Sequence, residues 1–280
     1  MADLPLLREL GRPDSPLLDR LARDYATARP FPYLVMDDLF PAALLEGALR
    51  EFDLSALNDV NVFRNQMQTR RSTSMTTVLP SAVQQFFDIV HAAPFLRLLT
   101  RLTGITGLVP DPYLYGGGMH EVGGQGHFQV HLDFGHHPVT HLENRLALIT
   151  YLNSGWRGED GGALELWHDR PRRRGVEICP SFACTVLMEQ SVRAWHGHPT
   201  AVRPGRVRRS LIAYFYTAPR PQARDRRGDT LYLATYSQSA SQRLEVYLRG
   251  LLPPLVMDVA RACRRRRIRH ARRGDGGGSV

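Results

Sequence analysis

The chain has 280 residues, 43% hydrophobic and 22% charged, which supports one sizeable core and excludes wholesale disorder. Its formal net charge is +9, and every basic residue is arginine, so lysine chemistry such as a Schiff base or a phosphate-loop lysine is excluded. Cys179, Cys184 and Cys263 are too few for a disulfide framework, and no second pair completes a zinc site.

Residues 1–104 read mainly as helix, a part expected to pack on a barrel. Ser15 before Pro16 predicts an N-cap and an N1 proline, opening LLDRLARDY. Pro32–Phe40 reads as a strand and its exit, and Pro41 opens the amphipathic AALLEGALREF. Ser81 and Gln84 have capping-box spacing ahead of FFDIVHAA, and PFLRLLTRLTG stops at Gly104. From 105 to 219 the texture changes. HFQVHLDF, LALITYLN, GALELWH, FACTVLME and RRSLIAYFYT, separated by Gly, Pro and Asn clusters, predict a β-sandwich or barrel. No helix of useful length interrupts them, which disfavours a βαβ architecture. DRPRRRG is expected at an exposed hairpin tip. Residues 220–268 read as a loop and helices, with capping-box spacing at Ser239 and Gln242 and a break at Pro253-Pro254. Arg264–Arg267, with Arg269, Arg272 and Arg273, forms a basic run, and 269–280 reads as a disordered tail. Such runs are usually solvated; an acidic partner such as nucleic acid is the functional alternative. No apolar run is long enough for a membrane span and the N-terminus lacks a leader pattern, so a soluble, cytoplasmic protein is expected.

The chemistry concentrates in the β-rich middle. His131 and Asp133 are two apart at a strand end, so they share a face. His196 and His198 lie on another strand, about 65 residues on. Two histidines and one carboxylate make a facial triad that leaves positions open on an octahedral iron. His198 competes with His196, since both share a face. Arg208 and Arg209 open the last strand on opposite faces, and one of them can grip a carboxylate with two parallel hydrogen bonds. His127, His136, His137 and His141 read as loop or rim residues, and Trp156, Trp167 and Trp195 as core. Glu165 faces away from Leu164 and Leu166, either at the barrel mouth or in solvent.

The block from DPYLYGGGMH (Asp111–His120) through HLDF, TYLNSGW, GGALELW, WHGHP and RRSLIAYFYT resembles the prolyl-hydroxylase-like branch of the 2-oxoglutarate and iron(II)-dependent dioxygenases. The entry PFPYLVMDDLFPAALLEGAL is similar to the usual start of such bacterial proteins. The resemblance implies an α+β fold dominated by a β core, a double-stranded β-helix or jelly-roll flanked by N- and C-terminal helices. It implies His131, Asp133 and His196 as iron ligands, in preference to His198. It implies Arg208, in an R-x-S pattern, as the partner of the far carboxylate of 2-oxoglutarate. Tyr151 matches a tyrosine that bonds the same carboxylate in some members. His120 stands near a position where others place a tyrosine facing the co-substrate, a departure that leaves its role open. The implied activity is hydroxylation of an unactivated C–H of a prolyl, other amino-acid, peptide or natural-product substrate. Fe(2+) is the implied metal, 2-oxoglutarate and O2 the co-substrates, and ascorbate a candidate reductant. A non-enzymatic metal-binding jelly-roll serving as sensor or scaffold, and an oxidative demethylase acting on nucleic acid, are the alternatives.

Overall fold

In the computed structural model, which describes residues 5–12, 14–170, 172–220 and 230–233, alternating strands build two facing antiparallel sheets. Met1–Leu231 forms one compact unit and Tyr232–Val280 a second; the elements below belong to the first. The expected C-terminal helices, the Pro253-Pro254 break, Cys263 and the basic run lie outside the described residues.

The chain opens with α1 (Pro5–Leu10), α2 (Pro16–Thr27), β1 (Tyr33–Asp37) and α3 (Ala42–Arg50). Ser15 caps α2 as predicted, its hydroxyl accepting from the Leu18 amide. A hairpin follows, β2 (Val60–Arg64) and β3 (Thr69–Thr73), inside the stretch expected to be mainly helical. The apolar residues of β2 stay exposed or half-exposed and the residues of β3 are polar, so no clean alternation marked it.

Next come α4 (Ser81–His91) and α5 (Ala93–Thr103). The capping box expected at Ser81 does not form. Pro80 takes the cap position, so Ser81 is already the first helical residue. The carboxylate of Glu51, just beyond α3, does the capping instead, accepting from the Ala82 amide at 2.8 Å. Gly104 ends α5 in the left-handed region, φ +71°, as its position implied.

The β core runs β4 (Val109–Pro110), β5 (Gly118–Val122), β6 (Phe128–Leu132), β7 (Glu143–Tyr151), β8 (Leu164–His168), β9 (Arg173–Ile178), β10 (Cys184–Glu189), β11 (Trp195–His198) and β12 (Arg208–Thr217). The larger sheet has the order β1-β10-β7-β12-β5-β3-β2, with β4 also on β12; the facing sheet runs β6-β11-β8-β9. This is the double-stranded β-helix expected from the sequence.

Alternation on β12 sorts the interior. Leu211, Ala213 and Phe215 face outward, joining Leu146 and Leu148 of β7 in a cluster with Phe86, Phe87 and Val90 of α4 and Leu98 and Leu99 of α5. Each of the larger side chains, taken out of water, contributes about 1.5–3 kcal/mol. Tyr214 and Tyr216 face inward, packing with Ile149 and with Leu164 and Leu166 of the facing sheet. The helices therefore close the outer face of the large sheet, and the inner face is left for the space between the sheets. No helix among the described residues is long and apolar enough to cross a membrane.

Candidate metal and co-substrate site

Strand pairing brings the three expected metal-site residues together. His131 on β6 and His196 on β11 are direct register partners, and Asp133 follows at the end of β6 on the face of His131. One donor atom from each lies within 4.8 Å of the others, and all three residues are buried. His131 Nε2 is 3.2 Å from Asp133 Oδ1, and His196 Nε2 is 3.4 Å from Asp133 Oδ2.

The far side of each ring fixes its tautomer. His131 Nδ1 donates to the Gln129 carbonyl at 2.8 Å, and His196 Nδ1 donates to the Ala194 carbonyl at 2.9 Å. A neutral ring that donates through Nδ1 carries its lone pair on Nε2, the atom turned toward the cluster. Burial raises the Asp133 pKa, but the neighbouring imidazoles, His196 foremost, outweigh it and hold the carboxylate well below its usual range. Burial lowers His131, and the neighbouring His196 lowers it further. Two imidazole nitrogens and one ionised carboxylate are a donor set that fits iron(II) and leaves coordination positions open.

His198, the rival of His196, is buried on the same face but outside this cluster, opposite Phe128. Its Nδ1 has no hydrogen-bond partner among the described residues.

The two arginines separate as alternation requires. Arg209 points outward to Glu121, 3.2 Å away. Arg208 is 4% exposed and points between the sheets. Its Nε donates to the Gly162 carbonyl at 2.8 Å and its NH2 to the Tyr151 hydroxyl at 3.2 Å. Gly162 sits at φ +63°, and a Cβ there would lie 3.1 Å from Arg208 Cδ, so the absent side chain makes room for the guanidinium. These named partners are neutral, so among the described residues a buried cation is left without a counter-charge. Burial accordingly draws its pKa down. The Tyr151 hydroxyl is pushed up to about 12 by burial, so it stays protonated. Ser210 pairs in register with Tyr151 on one side and His120 on the other, and its hydroxyl is buried without a partner among the described residues. Arg208, Tyr151 and Ser210 thus bring one cation and two hydroxyls to the inward face of the large sheet.

His120 shares that face, yet both of its nitrogens are engaged. Nδ1 accepts from Arg70 at 3.0 Å, and Nε2 donates to the Gly117 carbonyl at 3.0 Å. Burial, aided by the Arg70 charge, pushes its pKa down to about 3, so the ring is neutral. Arg70 in turn lies over the rings of Phe63 and Phe128, and the Phe128 ring stacks 3.9 Å from that of His131.

Other expectations need revision. Glu165 is not solvated: it is 1% exposed and accepts from the Trp167 indole at 2.9 Å. The three tryptophans are buried, as expected. His137, expected at the rim, is also buried, held by the loop it occupies. Sequence reasoning missed Tyr214, whose hydroxyl donates to Asp133 Oδ2 at 3.0 Å. The signal existed: Arg208, Ser210, Ile212 and Tyr214 alternate along one face of β12.

Residues 117–216 match the family described as the 2OG-Fe(II) oxygenase superfamily. No curated protein sequence matches the chain. Among solved structures, a prolyl-4-hydroxylase of Pseudomonas putida is similar at 21% identity and TM-score 0.51, covering 72% of this chain and 100% of that one. A prolyl hydroxylase of Trichoplax adhaerens, in complex with a hypoxia inducible factor peptide fragment, is similar at 14% identity and TM-score 0.53, covering 77% and 94%. The epimerase SnoN of nogalamycin biosynthesis, non-heme and alpha-ketoglutarate dependent, is similar at 13% identity and TM-score 0.54, covering 82% and 89%. At these identities the structural likenesses concern the fold.

Proposed function

We propose that the chain, whose residues 117–216 match the 2OG-Fe(II) oxygenase superfamily, is a dioxygenase that hydroxylates an unactivated C–H bond, with His131, Asp133 and His196 as iron ligands. Its metal is iron(II), and its co-substrates are 2-oxoglutarate and dioxygen. Bound there, the iron supplies dioxygen activation coupled to loss of CO2 from 2-oxoglutarate, which leaves succinate.

The observation that carries the assignment is the buried Arg208, with neutral partners only among the described residues, between the same sheets as the metal cluster. A carboxylate is the charge it lacks, and the guanidinium fork presents two parallel donors to one. In this reading Tyr151 and Ser210 donate to the same carboxylate. His120 acts at one remove, holding Arg70 over Phe128. Asp133 fills a position that an anion would otherwise take, which favours hydroxylation over halogenation. The substrate class that fits is a peptidyl residue or a small amino-acid or natural-product scaffold. The Trichoplax adhaerens relative, solved with a peptide, favours the peptidyl form.

Anaerobic addition of iron(II) and 2-oxoglutarate is expected to give the visible charge-transfer band of the chelate, and His131→Ala to lose it. A wild type without that band contradicts the assignment. Succinate release screened against peptide, amino-acid and oligonucleotide pools then reads the substrate class. Release with oligonucleotides alone would replace the hydroxylase reading with that of a nucleic-acid demethylase.

A further inference from the structure

We infer that Tyr214 is a positioning residue for the metal site: its hydroxyl engages one oxygen of Asp133 and so biases the carboxylate toward ligating a metal through the other. The inference rests on the proposed function and deepens it. Tyr214 is 6% exposed, and its hydroxyl donates to Asp133 Oδ2 at 3.0 Å. Asp133 Oδ1 stands 3.2 Å from His131 Nε2, and Oδ2, the oxygen that the tyrosine occupies, stands 3.4 Å from His196 Nε2.

The consequence is stoichiometric. A carboxylate can ligate through one oxygen or two. An octahedral metal with two imidazoles and a one-toothed carboxylate keeps three positions for co-substrate and dioxygen; a two-toothed carboxylate removes one of them. Rotation of Asp133 into the two-toothed form costs the Tyr214 hydrogen bond. The tyrosine ring is itself locked, 5.2 Å from the Phe134 ring and packed in the core between the sheets. Gly116 lies against the same wall at φ +69°, where a Cβ would come within 2.9 Å of Phe134. The restraint is therefore built on rigid neighbours, which an effective outer-shell hydrogen bond requires.

Cobalt(II) binding to the full chain, read anaerobically by its visible d–d absorption before and after 2-oxoglutarate, tests this without turnover. Tyr214→Phe keeps the ring and removes the hydroxyl. It is expected to weaken cobalt(II) binding by about 10–100-fold and to shift the absorption of the 2-oxoglutarate complex. Tyr216→Phe removes the matching hydroxyl from Asp111 and is expected to change neither. Equal affinity and spectrum in Tyr214→Phe and wild type overturn the inference. So does an equal loss in both variants, which would mark a general packing effect. A wild type that binds neither cobalt(II) nor 2-oxoglutarate overturns the proposed function, and this inference with it.

Discussion

Strand β12 carries two tyrosines two residues apart, and each places its hydroxyl on a buried aspartate. Tyr214 reaches Asp133 at 3.0 Å and Tyr216 reaches Asp111 at 3.3 Å. Histidine faces both carboxylates: His131 and His196 at Asp133, and His137 at Asp111, where Nε2 stands 3.2 Å from Oδ1 without hydrogen-bond alignment. The residue types nearly coincide, but the ring nitrogens do not. His137 Nδ1 accepts from the amides of Val139 and Thr140, both at 3.1 Å, so a neutral ring carries its proton on Nε2 and turns it toward Asp111. At Asp133 both rings donate backward to carbonyls and turn lone pairs inward. Asp111 is also filled from behind, accepting from the amides of Tyr113 and Tyr115. One cluster is closed on itself and the other is open to a cation. Burial and residue type alone do not separate them; the commitment of each Nδ1 does.

Removing the carboxylates should therefore give opposite phenotypes. Asp133→Ala is expected to cost at least about 100-fold in cobalt(II) affinity while the protein still folds, because the loss falls on a ligand. Asp111→Ala leaves two backbone amides and a tyrosine hydroxyl short of an acceptor, which costs about 3 kcal/mol of stability. Its metal affinity should stay within about threefold of wild type. Denaturant midpoints and cobalt(II) titrations on both variants decide the matter. Equal metal loss in the two would erase the distinction.

A smaller effect separates the two arginines at the start of the same strand. Arg208→Gln should weaken 2-oxoglutarate binding by about 30–100-fold, the worth of a charge-assisted, two-pronged contact. Arg209→Gln breaks a partly exposed pair with Glu121 and should change that affinity by less than about threefold. Titration of the charge-transfer band measures both, and a larger effect at Arg209 would move the co-substrate to the other face.

The open cluster was legible in the sequence because each half is a short strand motif and a family resemblance joined the halves, choosing His196 over His198 and Arg208 over Arg209. His131 and Asp133 are two apart on a strand, His196 sits in a short run of strand, and Arg208 follows within the next one. The closed cluster was not. Asp111 and His137 stand in loops, and nothing in their spacing says that Tyr216 lies between them. The β2–β3 hairpin escaped for a different reason: VNVFR and TRRST bury no continuous face, and β3 meets β5 through only Arg71↔Glu121 and Ser72↔His120. The capping-box spacing at Ser81 misled because Glu51, 30 residues back, supplied the acceptor. Each miss came from a tertiary contact that overrides a local pattern.

The smallest effect comes from a histidine with no carboxylate clamp, and it shows what burial does alone. His91 ends α4 beside Phe87, ring centroids 5.9 Å apart, and its Nε2 is buried without a partner among the described residues. Burial pushes its pKa down to about 4, with Asp88 opposing weakly. The unfolded chain binds the proton near the usual value of about 6.5, while the folded chain resists it until about 4. Stability from this group is therefore complete above about pH 6.5 and is lost as pH falls toward 4. Allowing for its partial exposure, the loss is about 1–2 kcal/mol. Urea unfolding at pH 7 and pH 4.5 should show His91→Gln losing that much less than wild type across the interval. His120, also buried and neutral, contributes equally to both proteins and cancels. If the two proteins lose the same stability, the His91 ring is solvated rather than buried, and a histidine without a clamp would no longer be the reference against which the clamped ones are judged.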